Sequence, residues 1–116
     1  MTKQEIDLYH KKLKEMNQHR KKYPLLYTND DNIHVKHDEV MVDNNYIKGV
    51  MMNKTGKTYS IKIYVDCLFD DIITNILDVV TNSQEEANRI YKQYCDIVDG
   101  SDLIQLLNFA SFGETL

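Results

Sequence analysis

Apolar residues recur along the first quarter of the chain with a helical period. Ile6, Tyr9, Leu13, Met16, Arg20 and Tyr23 follow one another at alternating spacings of three and four, a single stripe interrupted only by Arg20. Thr2 and Glu5 form a capping box, T-K-Q-E, at the start of this pattern. Pro24 forces Tyr23 out of helical geometry and ends it. The pattern predicts a helix over residues 2–23, with Lys3, His10, Lys11, Lys14, Lys21 and Lys22 on the side away from the stripe.

The period then changes to two. After a turn-rich segment over 24–32, PLLYTNDDN, the pattern predicts a short strand at Ile33–Lys36 and another at Glu39–Asp43, with Val40 and Val42 on one face. Asn44-Asn45 supplies a tight hairpin turn, because Asn tolerates positive φ. Tyr46–Met52 is its partner strand. Residues 53–57, NKTGK, read as a second hairpin loop with Gly56 in the left-handed region. Thr58–Asp66 alternates most clearly, Tyr59, Ile61, Ile63 and Val65 against Ser60, Lys62 and Tyr64. Residues 68–81 fit either period. Their β-branched content and their position before a capped helix favour a strand over 72–81. Ser83-Gln-Glu-Glu86 is a second capping box, opening a helix over 84–98 whose apolar face is Ala87, Ile90, Tyr91, Tyr94 and Val98. Gly100 is its expected stop, and residues 102–110, DLIQLLNFA, read as a short helix packed under the sheet.

This order predicts a single α+β domain over 1–116. It comprises an N-terminal amphipathic helix (2–23), an antiparallel sheet of four or five strands (33–81) and C-terminal helices (84–110), with the helices gathered on one face. An apolar fraction of 42% in 116 residues supports a real core, and one Pro with four Gly leaves no linker. No apolar h-region opens the chain, and Leu68–Val80 is broken by Asp70, Asp71, Asn75 and Asp78, so neither a leader nor a membrane span is expected and the reading is cytoplasmic. Cys67 and Cys95 lack metal or redox spacing and read as small hydrophobes. Abundant Ile, Asn, Lys and Tyr point by association to an AT-rich genome, such as a phage or plasmid of a low-GC bacterium.

Charge is divided unevenly. Residues 1–24 carry seven Lys/Arg against three acids, and residues 25–116 carry seven against fifteen, so a +4 helix is attached to a −8 body. Such asymmetry bears on partners rather than on fold.

Candidate chemistry is sparse. His34-x-x-His37 with Asp38 and Glu39 is the nearest approach to a metal motif, but positions i and i+3 of a strand face opposite ways. Asp66, Asp70 and Asp71 cluster at a strand end, where turn formation already accounts for them. Gly56-Lys57-Thr58 lacks the first glycine and the following helix of a phosphate loop. Tyr46, Tyr59 and Tyr64, with Lys48 and Lys62 near them, are ordinary sheet composition without the spacing of an RNA-binding sheet.

The leading expectation is therefore a small non-enzymatic protein-binding module, of the inhibitor, antagonist, immunity or anti-CRISPR-like kind. It would act through an acidic surface of Asp66, Asp70, Asp71 and Asp78 on an unidentified protein partner. The first alternative is a nucleic-acid-binding protein using Lys11, Lys14, Lys21 and Lys22. The second is a small metal-dependent enzyme built on His34, His37, Asp66, Asp70 and Asp71. A homodimer through the N-terminal helix is a further reading. No cofactor and no membrane partner are expected.

Overall fold

The computed structural model describes residues 2–25, 32–41, 46–67 and 73–112. Helix α1 spans Lys3–Lys22. Strands β1 (Asn32–Met41), β2 (Tyr46–Thr55), β3 (Thr58–Cys67) and β4 (Ile73–Thr81) follow, then helices α2 (Gln84–Gly100) and α3 (Leu103–Phe112). The strands form an antiparallel meander in the order β1-β2-β3-β4. The α+β class and the antiparallel sheet are as the sequence pattern predicts.

Both predicted caps are made. The Thr2 hydroxyl accepts from the Glu5 backbone N–H at 3.2 Å, and the Ser83 hydroxyl accepts from that of Glu86 at 3.3 Å. Each satisfies a donor that the first helical turn leaves without a partner. Glu5 in the first turn of α1, and His19 to Lys22 in its last, also suit the helix dipole.

One face of the sheet carries the core. The cross-strand rows Val35–Met52–Ile61–Val79 and His37–Val50–Ile63–Leu77 lie on this face. Helix α2 covers it with Ala87, Ile90, Tyr91, Cys95 and Val98, all buried. Leu25, following α1, and Leu106 of α3 complete the cluster. The Gln84 side-chain amide donates to the Leu25 carbonyl and ties the end of the α1 segment to the start of α2. Between the pairs Ile63–Leu77 and Tyr64–Asn75 the register slips by one residue, and the extra residue, Ile76, is buried.

Several expectations are corrected. The two short strands at 33–36 and 39–43 are one continuous strand, β1. The hairpin loop over 53–57 shrinks to Gly56 and Lys57, because Thr55 already pairs with Thr58. Gly56 does take the left-handed conformation, at φ 61°. Helix α2 includes Gly100, and Ser101 caps it. The Asn44-Asn45 turn lies outside the described residues. Helix α1 packs along β1, an edge strand, and not over the sheet with α2. Its Asn17 amide donates to the Asp38 carbonyl and its Arg20 guanidinium to the Lys36 carbonyl, the latter at 3.1 Å. Alternate carbonyls of a strand point to the same side, so these two bonds shield one stretch of the exposed edge. Arg20, which interrupts the apolar stripe, is thus an edge cap.

Candidate functional site: helix α1 and the cleft beside it

Only half of the α1 stripe is used within the molecule. Leu13 is buried against the sheet, Ile6 and Arg20 are half-buried, and Asn17 is enclosed at 1% exposure. Tyr9, Met16 and Tyr23, the alternate positions of the same stripe, stay 44–50% exposed.

The buried seam divides the helix surface into two flanks. One flank faces α2, because the Lys21 ammonium bridges Asp96 and Asp99 near the end of that helix, the Asp99 contact measuring 3.2 Å. The hydrogen bond to Asp96 holds Lys21 above its ordinary pKa, with Asp99 adding to the effect against the cost of burial. Lys21 is therefore an internal clamp between helices. Lys3, Lys11 and Lys14 share this side of α1, are exposed, and have no ion-pair partner among the described residues. Lys22 is exposed on the other flank, over the Tyr23 ring.

A cleft of about 270 Å³ opens beneath the lysine-bearing flank. Helix α1 contributes His10, Lys14 and Asn17 to it, β1 contributes His37 and Glu39, and α2 contributes Asp99. His37 is 5% exposed, and its Nε2 meets Asp99 Oδ1 at 2.7 Å. Burial alone would raise the Asp99 carboxyl, but His37 and Lys21 hold it below the ordinary carboxylate range. Asp38 behaves oppositely, since burial pushes its carboxyl up despite the nearby Lys36. The Lys48 ammonium donates to the Ser101 carbonyl at 2.6 Å and lies 3.5 Å from Glu39. Asn17 Oδ1, His37 Nδ1 and Asp38 Oδ1 are buried with no hydrogen-bond partner among the described residues. Each such atom costs about 1–3 kcal/mol relative to a satisfied one, and the Tyr64 and Tyr91 hydroxyls and Asn88 Oδ1 are in the same position elsewhere in the described fold.

The other predicted site residues are placed as follows among the described residues. His34 is exposed on the opposite face of β1 from His37, its Nδ1 2.5 Å from Asn53 Oδ1, as the strand period requires. Among the described residues, no three His, Cys, Asp or Glu groups are placed to hold a metal ion. Asp78 is exposed on β4 opposite Lys62, and Asp66 sits four residues further along β3, roughly 13 Å away. Asp70 and Asp71 lie outside the described residues. Cys95 is a fully buried thiol that burial pushes up to about 12. Tyr59 and Tyr64 are both buried, at 6% and 3%, so neither offers a stacking surface. Among the described residues, no helix is long and apolar enough to cross a membrane. No family model matches the chain, and neither does any curated protein or solved structure.

The His37–Asp99 contact joins residues sixty-two positions apart, and no local pattern announces it. The one available signal was the polar run His37-Asp38-Glu39 inside an apolar strand.

Proposed function

We propose that this chain is a small, non-enzymatic protein-binding module that takes an acidic protein surface against the lysine-bearing flank of α1. The reading rests on one observation: Lys3, Lys11 and Lys14 stand exposed without ion pairs beside a cleft that holds enclosed, unpartnered polar atoms. Lysines of this kind steer an acidic partner, and a cleft beside them gives a partner side chain a desolvated socket, the usual setting of a binding hot spot. This site is a different one from the acidic surface of Asp66, Asp70, Asp71 and Asp78, in which Lys62 lies across from Asp78. A role as an inhibitor or antagonist of another protein suits this small size and fold.

A nucleic-acid reading has one observation in its favour: the lysines run along a helix about 30 Å long. The −8 of the remaining chain opposes it, because a polyanion meets repulsion just beyond the helix.

Affinity capture from the native host, with the wild type and a Lys11→Glu/Lys14→Glu variant, tests the proposal. A partner held by the wild type and lost by the folded variant is expected. A partner retained by both removes the interface from this flank. Anisotropy titration with DNA and RNA oligonucleotides at two salt concentrations tests the other reading, and binding that weakens with salt and vanishes in the variant would replace the protein partner by nucleic acid.

A further inference from the structure

The attachment of α1 is graded along its length. At its C-terminal end the chain is fixed, because Leu25 sits in the core at 3% exposure and Gln84 donates to its carbonyl. Along the middle, four side chains hold the helix. They are Leu13, its one buried apolar side chain, Asn17 and Arg20 on the carbonyls of β1, and Lys21 on Asp96 and Asp99. Before Leu13 only Ile6 and His10 are even half-buried, and His10 lies 3.9 Å from Glu39. Tyr23 and Pro24 stand between the fixed end and the helix. Tyr23 leaves the helical conformation at φ −132° and ψ 59° and is 44% exposed, so little packing resists a change in its torsions. Residues at the ends of elements are where hinges form.

What α1 covers is equally specific. Tyr91, Cys95 and Asp99 follow one another at four-residue spacing on one face of α2. Asp99 meets both His37 of β1 and Lys21 of α1. The charges of Asp99 and Lys21 reach the Cys95 thiol, and those of Arg20 and Asp38 reach the Tyr91 hydroxyl. This stripe of α2 therefore lies against the junction of α1 with β1, and the Cys95 thiol, 0% exposed, is closed in there. The cleft that α1, β1 and α2 line together leaves the junction incompletely filled.

We infer that α1 is a hinged strap, which swings as a unit about Tyr23 and Pro24 while the sheet, α2 and α3 stay folded. Opening gives up the burial of Leu13, the two bonds to the β1 edge and the Lys21 bridge, and little else. Leu25 keeps the strap attached. The open state frees the Lys36 and Asp38 carbonyls and uncovers the His37 ring and the Cys95 thiol, both buried in the closed molecule. No partner on the lysine-bearing flank is needed for this motion. Because the Lys21 ammonium and its two carboxylates are partly exposed, salt weakens the closed state.

Cys95 is a built-in reporter of the motion. Iodoacetamide, a small neutral reagent, alkylates it only when the junction opens, and peptide mass spectrometry separates Cys95 from Cys67. The labelling rate is expected to depend on urea more weakly than global unfolding does, because the open state exposes only part of the chain. Leu13→Ala should speed labelling about thirtyfold. Lys21→Ala should speed it about two- to fivefold, and raising NaCl from about 0.05 M to about 1 M should reproduce much of that gain. Ile61→Val, on β3 and two strands away from the edge that α1 covers, lowers global stability but should change the rate less than about twofold. Labelling whose urea dependence matches that of global unfolding overturns the inference. So does a rate that Ile61→Val raises in step with its effect on the global unfolding equilibrium, or one that Leu13→Ala leaves unchanged.

Discussion

Two helices pack against one sheet by opposite means. Helix α2 lays Ala87, Tyr91, Cys95 and Val98, each 0% exposed, onto Val50, Ile61 and Ile63 of the strands. Helix α1 meets β1 through the Asn17 amide and the Arg20 guanidinium, and meets α2 through the Lys21 bridge. Buried apolar area drives the first contact. The second satisfies an open strand edge, and buried polar atoms without partners occur beside both helices: Asn17 Oδ1, His37 Nδ1 and Asp38 Oδ1 near α1, Asn88 Oδ1 and the Tyr91 hydroxyl on α2. Stability should therefore reside in α2, and adaptability in α1.

The largest test of that contrast is in the apolar half. Tyr91→Ala empties a fully buried site and should cost about 3–5 kcal/mol, read as a lower urea midpoint at unchanged slope. Leu13→Ala, the equivalent truncation on α1, should stay near 2 kcal/mol because its site is shallower. Equal losses would break the comparison.

The junction of the two regions comes next. Gly49 pairs with Asp38 on one side and Tyr64 on the other. A Cβ there would press on the Asp38 carboxylate and lie 2.7 Å from the Tyr64 hydroxyl and 2.8 Å from the His37 carbonyl. The last is backbone and yields least. Gly49→Ala should cost about 1–3 kcal/mol and displace Asp38, so the same variant should alter the cleft. Unchanged stability would mean that β1 can move away, and that the edge is looser than its bonds to α1 suggest.

Asn17→Ala probes the edge cap itself. It removes the donor to the Asp38 carbonyl and opens the buried seam, at about 1–2 kcal/mol. Hydrogen exchange should report the loss as faster exchange in α1 and β1 with α2 unaffected. A uniform change would show that α1 and α2 belong to one cooperative unit.

What the sequence made legible follows the same division. The capping boxes, the alternation of Thr58–Asp66 and the apolar face of α2 were all readable, because each is a local pattern serving one core. The split drawn between residues 36 and 39 has a specific cause. His37, Asp38 and Glu39 interrupt the apolar pattern of β1, and such a run normally means a turn. Here the partners are distant: Asp99 for the His37 ring, Asn17 for the Asp38 carbonyl and Lys48 for Glu39. The α1 stripe misled in the opposite sense. Its spacing predicts the helix, but spacing alone does not say that half of the stripe turns outward.

The smallest effect discriminates most finely. Asp99 and Asp38 should tilt the acid limb of the stability curve in opposite directions. His37 and Lys21 hold the folded Asp99 carboxyl low, so its contribution is present above the ordinary carboxylate value, near 4, and is lost as pH falls through the folded value. Burial holds the folded Asp38 carboxyl high, so its ionisation disfavours folding, and the penalty is relieved as pH falls through that raised value. Asp99→Asn should thus destabilise at neutral pH by under about 1 kcal/mol, because the side chain is 39% exposed, and the deficit should fade in acid. Asp38→Asn should stabilise at neutral pH, with the gain fading in acid. Urea midpoints from about pH 3 to about pH 7 measure both. If the two variants shift the limb in the same direction, the two carboxylates are not the opposed pair described above, one held low by His37 and Lys21 and the other held high by burial.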